Sequence, residues 1–148
     1  MKEKSEPLLA SPELTLRIRV LERMREGGGG PYLEWLHLHV LVEVPGFEGK
    51  LRWEVMPGTL EQFLAGVEEL YRGLEPDLEA RMEGTYPGVR LSLVMRRGGH
   101  VGGEYVFASR TVGYPRLEGE FHVDQNLLPG LIKGLKGILK TPATEISL

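Results

Sequence analysis

His37 and His39 stand two residues apart in a run that alternates apolar and polar side chains from Trp35 to Val44. On a strand, residues i and i+2 share a face, so two imidazoles at this spacing can ligate one metal ion. Glu43 falls on the same face and offers a carboxylate. A second chemically capable group is the basic stripe Arg17, Arg19 and Arg23, extended by Arg25, which suits phosphate or an acidic partner. A third is the stripe Gly130, Gly134 and Gly137 in an apolar and basic segment. Other chemistries are missing. Without cysteine there is no thiolate nucleophile, disulfide or Cys-ligated zinc. The glycines at 27–30 do not lead into a helix, and no Gly-Lys-Ser/Thr occurs, so neither they nor the glycines between 98 and 103 make a phosphate-cradling loop. No serine sits in a nucleophile elbow.

Two readings of the histidine pair compete. With Gly30 before and Gly49 after, the pair resembles the first motif of the cupins, Gly–His-x-His–Glu–Gly. That resemblance implies a metal-dependent small-molecule enzyme on a β-barrel, with His37, His39 and Glu43 as ligands. The other reading places both histidines on a solvated, mixed-charge sheet face beside carboxylates. The second is the expectation, because cupin ligands point into a barrel while the matching face of every other strand carries Arg and Glu. No metal, no cofactor and no enzymatic activity are therefore expected. The arginine stripe is expected to pair across strands with Glu43, Glu48 or Glu54.

The elements that position these residues follow from periodicity. The chain has 148 residues, 41% hydrophobic and 26% charged, enough for one domain with its own core. A net charge of −3 argues against a nucleic-acid partner. No apolar run approaches the roughly 20 residues of a membrane span, and residues 1–12 lack a signal-peptide core, so a cytoplasmic protein is expected. Asn126 is the only asparagine, and Gln62 and Gln125 the only glutamines. That shortage of thermolabile residues suggests a thermophilic source.

Period-two alternation predicts strands over 14–20, 35–44, 47–55, 78–82, 89–96, 101–107 and 117–123. In the first of these and its continuation to Arg23, Arg17, Arg19 and Arg23 point one way and Leu14, Leu16, Ile18 and Val20 the other. Leu60, Phe63, Leu64, Val67, Leu70, Tyr71 and Leu74 follow helical spacing, with Thr59 as N-cap and Gln62 completing a capping box. A second helix carries Leu127, Leu128, Leu131, Ile132, Leu135, Ile138 and Leu139, capped by Asp124 or Asn126, with Pro129 in its first turn. The expected fold is α+β: a mostly antiparallel β-sheet of about seven strands with two amphipathic helices packed on one face, in the order βββαββββα. Residues 1–12 read as a loose N-terminal tail, 13–140 as a single α+β domain and 141–148 as a C-terminal tail. Each interior glycine costs a helix about 1 kcal/mol against alanine. The stripe of Gly130, Gly134 and Gly137 is therefore expected to meet a closely approaching backbone, from the first helix or from the mate in a homodimer.

The order of elements, and several segments within it, resemble a family of small bacterial immunity proteins of the WapI type. The resemblance runs over about residues 33–139. It rests on Trp35 through Val44, on Phe47-Glu48-Gly49-Lys50, on Leu60, Phe63, Leu64 and Leu70, and on His100-Val101 and Gly119-Glu120-Phe121. The sharpest piece is Val123-Asp124-Gln125-Asn126-Leu127-Leu128-Pro129 ahead of the leucine helix. It implies a non-enzymatic protein that protects a bacterial cell by binding a contact-delivered toxin nuclease. The partner would be a toxin domain, and there is no family catalytic residue to carry over.

Overall fold

The computed structural model describes residues 6–26, 34–73, 75–84, 88–109 and 115–146. The glycines at 27–30, Leu74 and the expected turns at 86–87 and 113–114 lie outside the described residues. The fold is α+β, as the periodicity predicts, with nine strands and two helices among the described residues. The strands are β1 (Leu9–Ala10), β2 (Thr15–Glu26), β3 (Glu34–Val44), β4 (Phe47–Val55), β5 (Glu79–Glu83), β6 (Val89–Met95), β7 (His100–Ala108), β8 (Arg116–Asp124) and β9 (Thr144–Ile146). Helix α1 spans Pro57–Gly73 and α2 spans Leu128–Leu139.

The seven expected strands divide between two sheets rather than forming one. The first sheet runs β1-β2-β3-β4, with β9 added parallel to the far end of β2. The second runs β5-β6-β7-β8 and is wholly antiparallel. The split follows from the connections. Within each four-strand run at most seven residues separate one strand from the next, and α1 lies in the chain between the two runs. At the β3–β4 turn Gly46 takes φ +87°, and at the β6–β7 turn Gly98 and Gly99 take φ +76° and +78°. Side chains other than glycine rarely adopt these values.

One hydrophobic cluster takes residues from both sheets and both helices. Leu36, Leu38, Val40 and Val42 of β3 are fully buried, as are Leu60, Phe63, Val67 and Leu70 of α1 and Leu128, Leu131 and Leu135 of α2. Each such side chain contributes about 1.5–3 kcal/mol before the entropy of ordering is subtracted. Helix α1 comes close to β5: a Cβ added at Gly66 would lie 3.0 Å from Ala80 Cβ. Opposite glycines in β7 and β8 are roofed by rings. Phe121 covers Gly103 and Tyr105 covers Gly119, their direct cross-strand partners. The ring supplies the apolar contact that a glycine in a strand lacks.

Four local expectations are corrected. The N-terminal segment is not loose throughout, because Leu8 and Leu9 are buried and β1 pairs with β2. The segment beyond 140 is not a free tail either, since β9 pairs with β2. Helix α1 begins at Pro57, so Thr59 lies within its first turn and is not the N-cap. Proline at a helix start loses no hydrogen bond, which lets the helix begin three residues earlier than a Thr59 cap would place it. Finally, Phe47, which alternation with Leu51, Trp53 and Val55 sets on the inward side of its strand, is instead 69% exposed, and Tyr71 of α1 is 48% exposed.

Candidate functional site

The register of β2, β3 and β4 arranges the outer face of the first sheet in rows, because directly opposed residues share a face about 5 Å apart. The first row is Thr15, Glu43 and Glu48. The next is Arg17, Leu41 and Lys50, followed by Arg19, His39 and Arg52. Then come Glu22, His37 and Glu54, and finally Met24 beside Trp35. Charge is thus sorted into bands: an acidic row, two rows holding four cations, an acidic row on either side of His37, and an apolar end. Arg19, Lys50, Arg52, Glu43, Glu48, Glu22 and Glu54 are exposed, while Arg17, Leu41, His37, His39, Met24 and Trp35 are half-buried.

The structure keeps His37, His39 and Glu43 on one face but does not converge them. From His37 to Glu43 is six residues of strand, about 20 Å. Among the described residues no three His, Asp or Glu side chains are placed to hold a metal ion. His39 lies between Arg19 and Arg52, whose guanidinium groups would repel a cation there. His37 Nδ1 lies 3.7 Å from Glu54 Oε1. The cupin-like arrangement needs ligands gathered inside a barrel, and here the three candidates are spread along an outward surface.

The basic stripe does not run as the alternation suggested. A β-bulge between Val20 and Glu22 shifts the register by one residue. A one-residue shift exchanges the two faces of a strand. Arg17 and Arg19 stay on the outer face, opposite Leu41 and His39 rather than opposite a carboxylate. Arg23, now across from the buried Leu36, turns to the inner side. There it donates to Glu34 Oε1, to the Leu139 carbonyl at 2.6 Å and to the Thr141 carbonyl at 3.1 Å. Arg25 joins the same carboxylate at 3.3 Å. Arg23 is therefore a C-terminal cap for α2, where a cation meets the negative end of the helix dipole. Its side chain is 15% exposed and that of Glu34 14%. The Arg23 hydrogen bond, followed by the charges of Arg23 and Arg25, holds the Glu34 carboxyl below its ordinary pKa despite burial.

The glycine stripe of α2 is also resolved. A Cβ at Gly134 would lie 2.6 Å from Leu8 Cδ1, whereas among the described residues no neighbouring element comes within 4 Å of one at Gly130 or Gly137. The close neighbour is the N-terminal segment, not α1. At the start of the helix, Asp124 Oδ1 accepts from the Asn126 amide at 2.9 Å, capping a 3₁₀ turn, Gln125–Leu127, that leads into α2.

The outer face of the second sheet mixes its charges instead of banding them on the β5–β6 side. Arg90 lies opposite Glu83 and bonds it at 3.0 Å, and Arg81 reaches both Glu79 and Glu83. Where the two sheets come together at their β4 and β8 ends, a cleft of about 250 Å³ is lined by Val42, Phe47, Leu51, Phe107 and Leu117 among others. The exposure of Phe47 and the charge bands were not readable from the strand pattern. Both depend on which residue stands across from which, and only pairing sets that. No helix among the described residues is long and apolar enough to cross a membrane.

No curated protein matches the chain. Among solved structures, the crystal structure of WHY1 from Arabidopsis thaliana is similar, with a TM-score of 0.43 and 11% identity over 85% of this chain and 81% of that one. The profile of the immunity protein WapI-like family matches residues 8–142, a span from the buried Leu8 through both sheets and both helices to just past the Arg23-capped end of α2. This chain belongs to the immunity protein WapI-like family.

Proposed function

We propose that the protein acts in a bacterial cytoplasm as a non-enzymatic inhibitor that binds a toxin delivered by cell contact, and that the toxin is a nuclease. The observation that carries this reading is the family match over residues 8–142. Inhibition by occlusion needs a rigid, exposed surface complementary to the toxin and no catalytic group. A sheet with an apolar inner face locked into the core and a charged outer face supplies one. The reading is tested by co-expressing the chain with contact-delivered nuclease toxins of its source organism. The expected result is restored growth and a stoichiometric complex in light scattering. Continued killing with no complex formed overturns it.

A further inference from the structure

The outer face of the first sheet sorts its charges into bands, and the sorting has a physical reading. In an antiparallel sheet, opposite charges placed directly across from each other contribute about 0.2–1 kcal/mol per pair, and like charges cost a similar amount. The β5–β6 pair follows this rule with Arg90 opposite Glu83. The β7–β8 pair departs from it with Glu104 opposite Glu120, and so does the first sheet. Glu43 faces Glu48, Arg19 and Arg52 flank His39, and Arg17 and Lys50 flank Leu41. Exchanging Lys50 with Glu48 would place opposite charges across the β3–β4 pair at Glu43 without touching the core. The opposition of Glu43 and Glu48 is therefore not something the core requires.

We infer that the outer face of β2, β3 and β4 is the surface that meets a protein partner. That partner presents a compact carboxylate cluster bordered on both sides by basic groups. The four cations Arg17, Arg19, Lys50 and Arg52 occupy a rectangle about 10 Å across the strands and about 7 Å along them. Leu41 and His39 fill its middle. Three of the four cations are arginines, the charged residue enriched at protein interfaces. The rectangle is closed along the strands by Glu43 with Glu48 on one side and by Glu22 with Glu54 on the other.

These acidic borders select the class of partner. A nucleic acid carries a negative charge every few ångströms along its length. A strand running along β3 would leave the cationic band within about 7 Å and meet carboxylates at both ends. A folded protein can instead alternate base, acid, base over the same span. The chain's net charge of −3 points the same way. Beyond the second acidic row, Trp35 and Met24 continue the face as an apolar strip. This inference rests on the reading of the chain as a protein-binding inhibitor and names the face that does the binding.

The test does not require the toxin. The probe is a synthetic helical peptide of about four turns, long enough to match the ~20 Å from Glu43 to His37. It carries lysines in its two end turns and four glutamates in the turns between. An inverted peptide with the charges exchanged and an oligothymidylate of equal net charge serve as comparisons. Amide shifts in a nitrogen–proton correlation spectrum of the whole chain are expected to concentrate on β2, β3 and β4, for the first peptide only. In an R19E/R52E double variant with unchanged circular dichroism, the affinity is expected to fall about tenfold or more. Equal binding of the inverted peptide overturns the inference, as does tighter binding of the oligothymidylate. So do shifts mapping to the second sheet, or shifts that appear on concentrating the chain alone, which would make a second copy the occupant. The two readings separate cleanly. A chain that protects cells while its first sheet ignores the peptide refutes the face and leaves the function standing.

Discussion

Leu8 of the N-terminal segment fills the space a side chain would occupy at Gly134 of α2, its Cδ1 lying 2.6 Å from an ideal Cβ there. The Leu8 amide also donates to the Leu16 carbonyl of β2 at 2.8 Å. One residue thus ties the N-terminal segment to both the first sheet and the second helix, and it is 6% exposed.

The three glycines of α2 should therefore respond differently to alanine. At Gly130 and Gly137 an added Cβ meets no neighbouring element within 4 Å among the described residues. The gain in helix propensity should stabilise each variant by up to about 1 kcal/mol. Gly134→Ala must displace the end of Leu8, a flexible group, and should be near neutral. Gly134→Leu should cost about 1–3 kcal/mol by overpacking. Leu8→Ala should cost about 2 kcal/mol or more. Urea midpoints of the five variants check the order, and equal effects at all three glycines would sink it.

Arg23→Met keeps the side-chain length and removes the charge. It leaves Glu34 partly buried without its main partner and α2 without its cap, so the expected loss is about 2–4 kcal/mol. The pH dependence follows in sign. Glu34 has a folded pKa below its unfolded value, so its stabilisation is present above the usual carboxylate range and disappears as pH falls through the lowered folded value. Melting temperatures of the wild type should drop across that acid window. The Arg23→Met protein should start lower and show a shallower acid drop. A parallel drop in both proteins would remove Glu34 as the cause.

Asp124→Ala should lower stability by about 1 kcal/mol, because its carboxylate accepts from the Asn126 amide at 2.9 Å. Asn126→Ala should change little, since its part in the cap is its backbone amide. Thermal melts of the two variants decide the matter, and a larger effect at Asn126 would reverse the assignment.

His37 and His39 are expected to hold no stoichiometric metal. Protein purified without a polyhistidine tag should show equal trace zinc, nickel and iron by mass spectrometry before and after the double change His37→Ala, His39→Ala. One equivalent of metal lost in the double variant would contradict the spread of about 20 Å that the strand imposes on the three candidate ligands.

Much of this architecture is written locally. Alternation of apolar and charged residues specifies a strand with one dry and one wet face, and each core strand appears where its alternation predicts it. Leu60, Phe63, Val67 and Leu70 repeat at helical spacing and are fully buried as expected. The Asp124 to Pro129 segment begins a helix for reasons contained in its own residues. What chain-local patterns cannot encode is pairing. The division into two sheets depends on which strand edges find each other, and the packing of Leu8 on Gly134 joins residues far apart in the chain. The bulge between Val20 and Glu22 exchanges the faces of β2 midway. It thereby turns Arg23 from an apparent member of the surface stripe into the cap of a helix more than a hundred residues away. The bands of charge on the first sheet belong to no single strand. Each strand carries only its own alternation, and antiparallel register aligns three of them into rows, because a side chain's neighbours across a sheet are set by hydrogen bonding between strands and not by the order of residues within one.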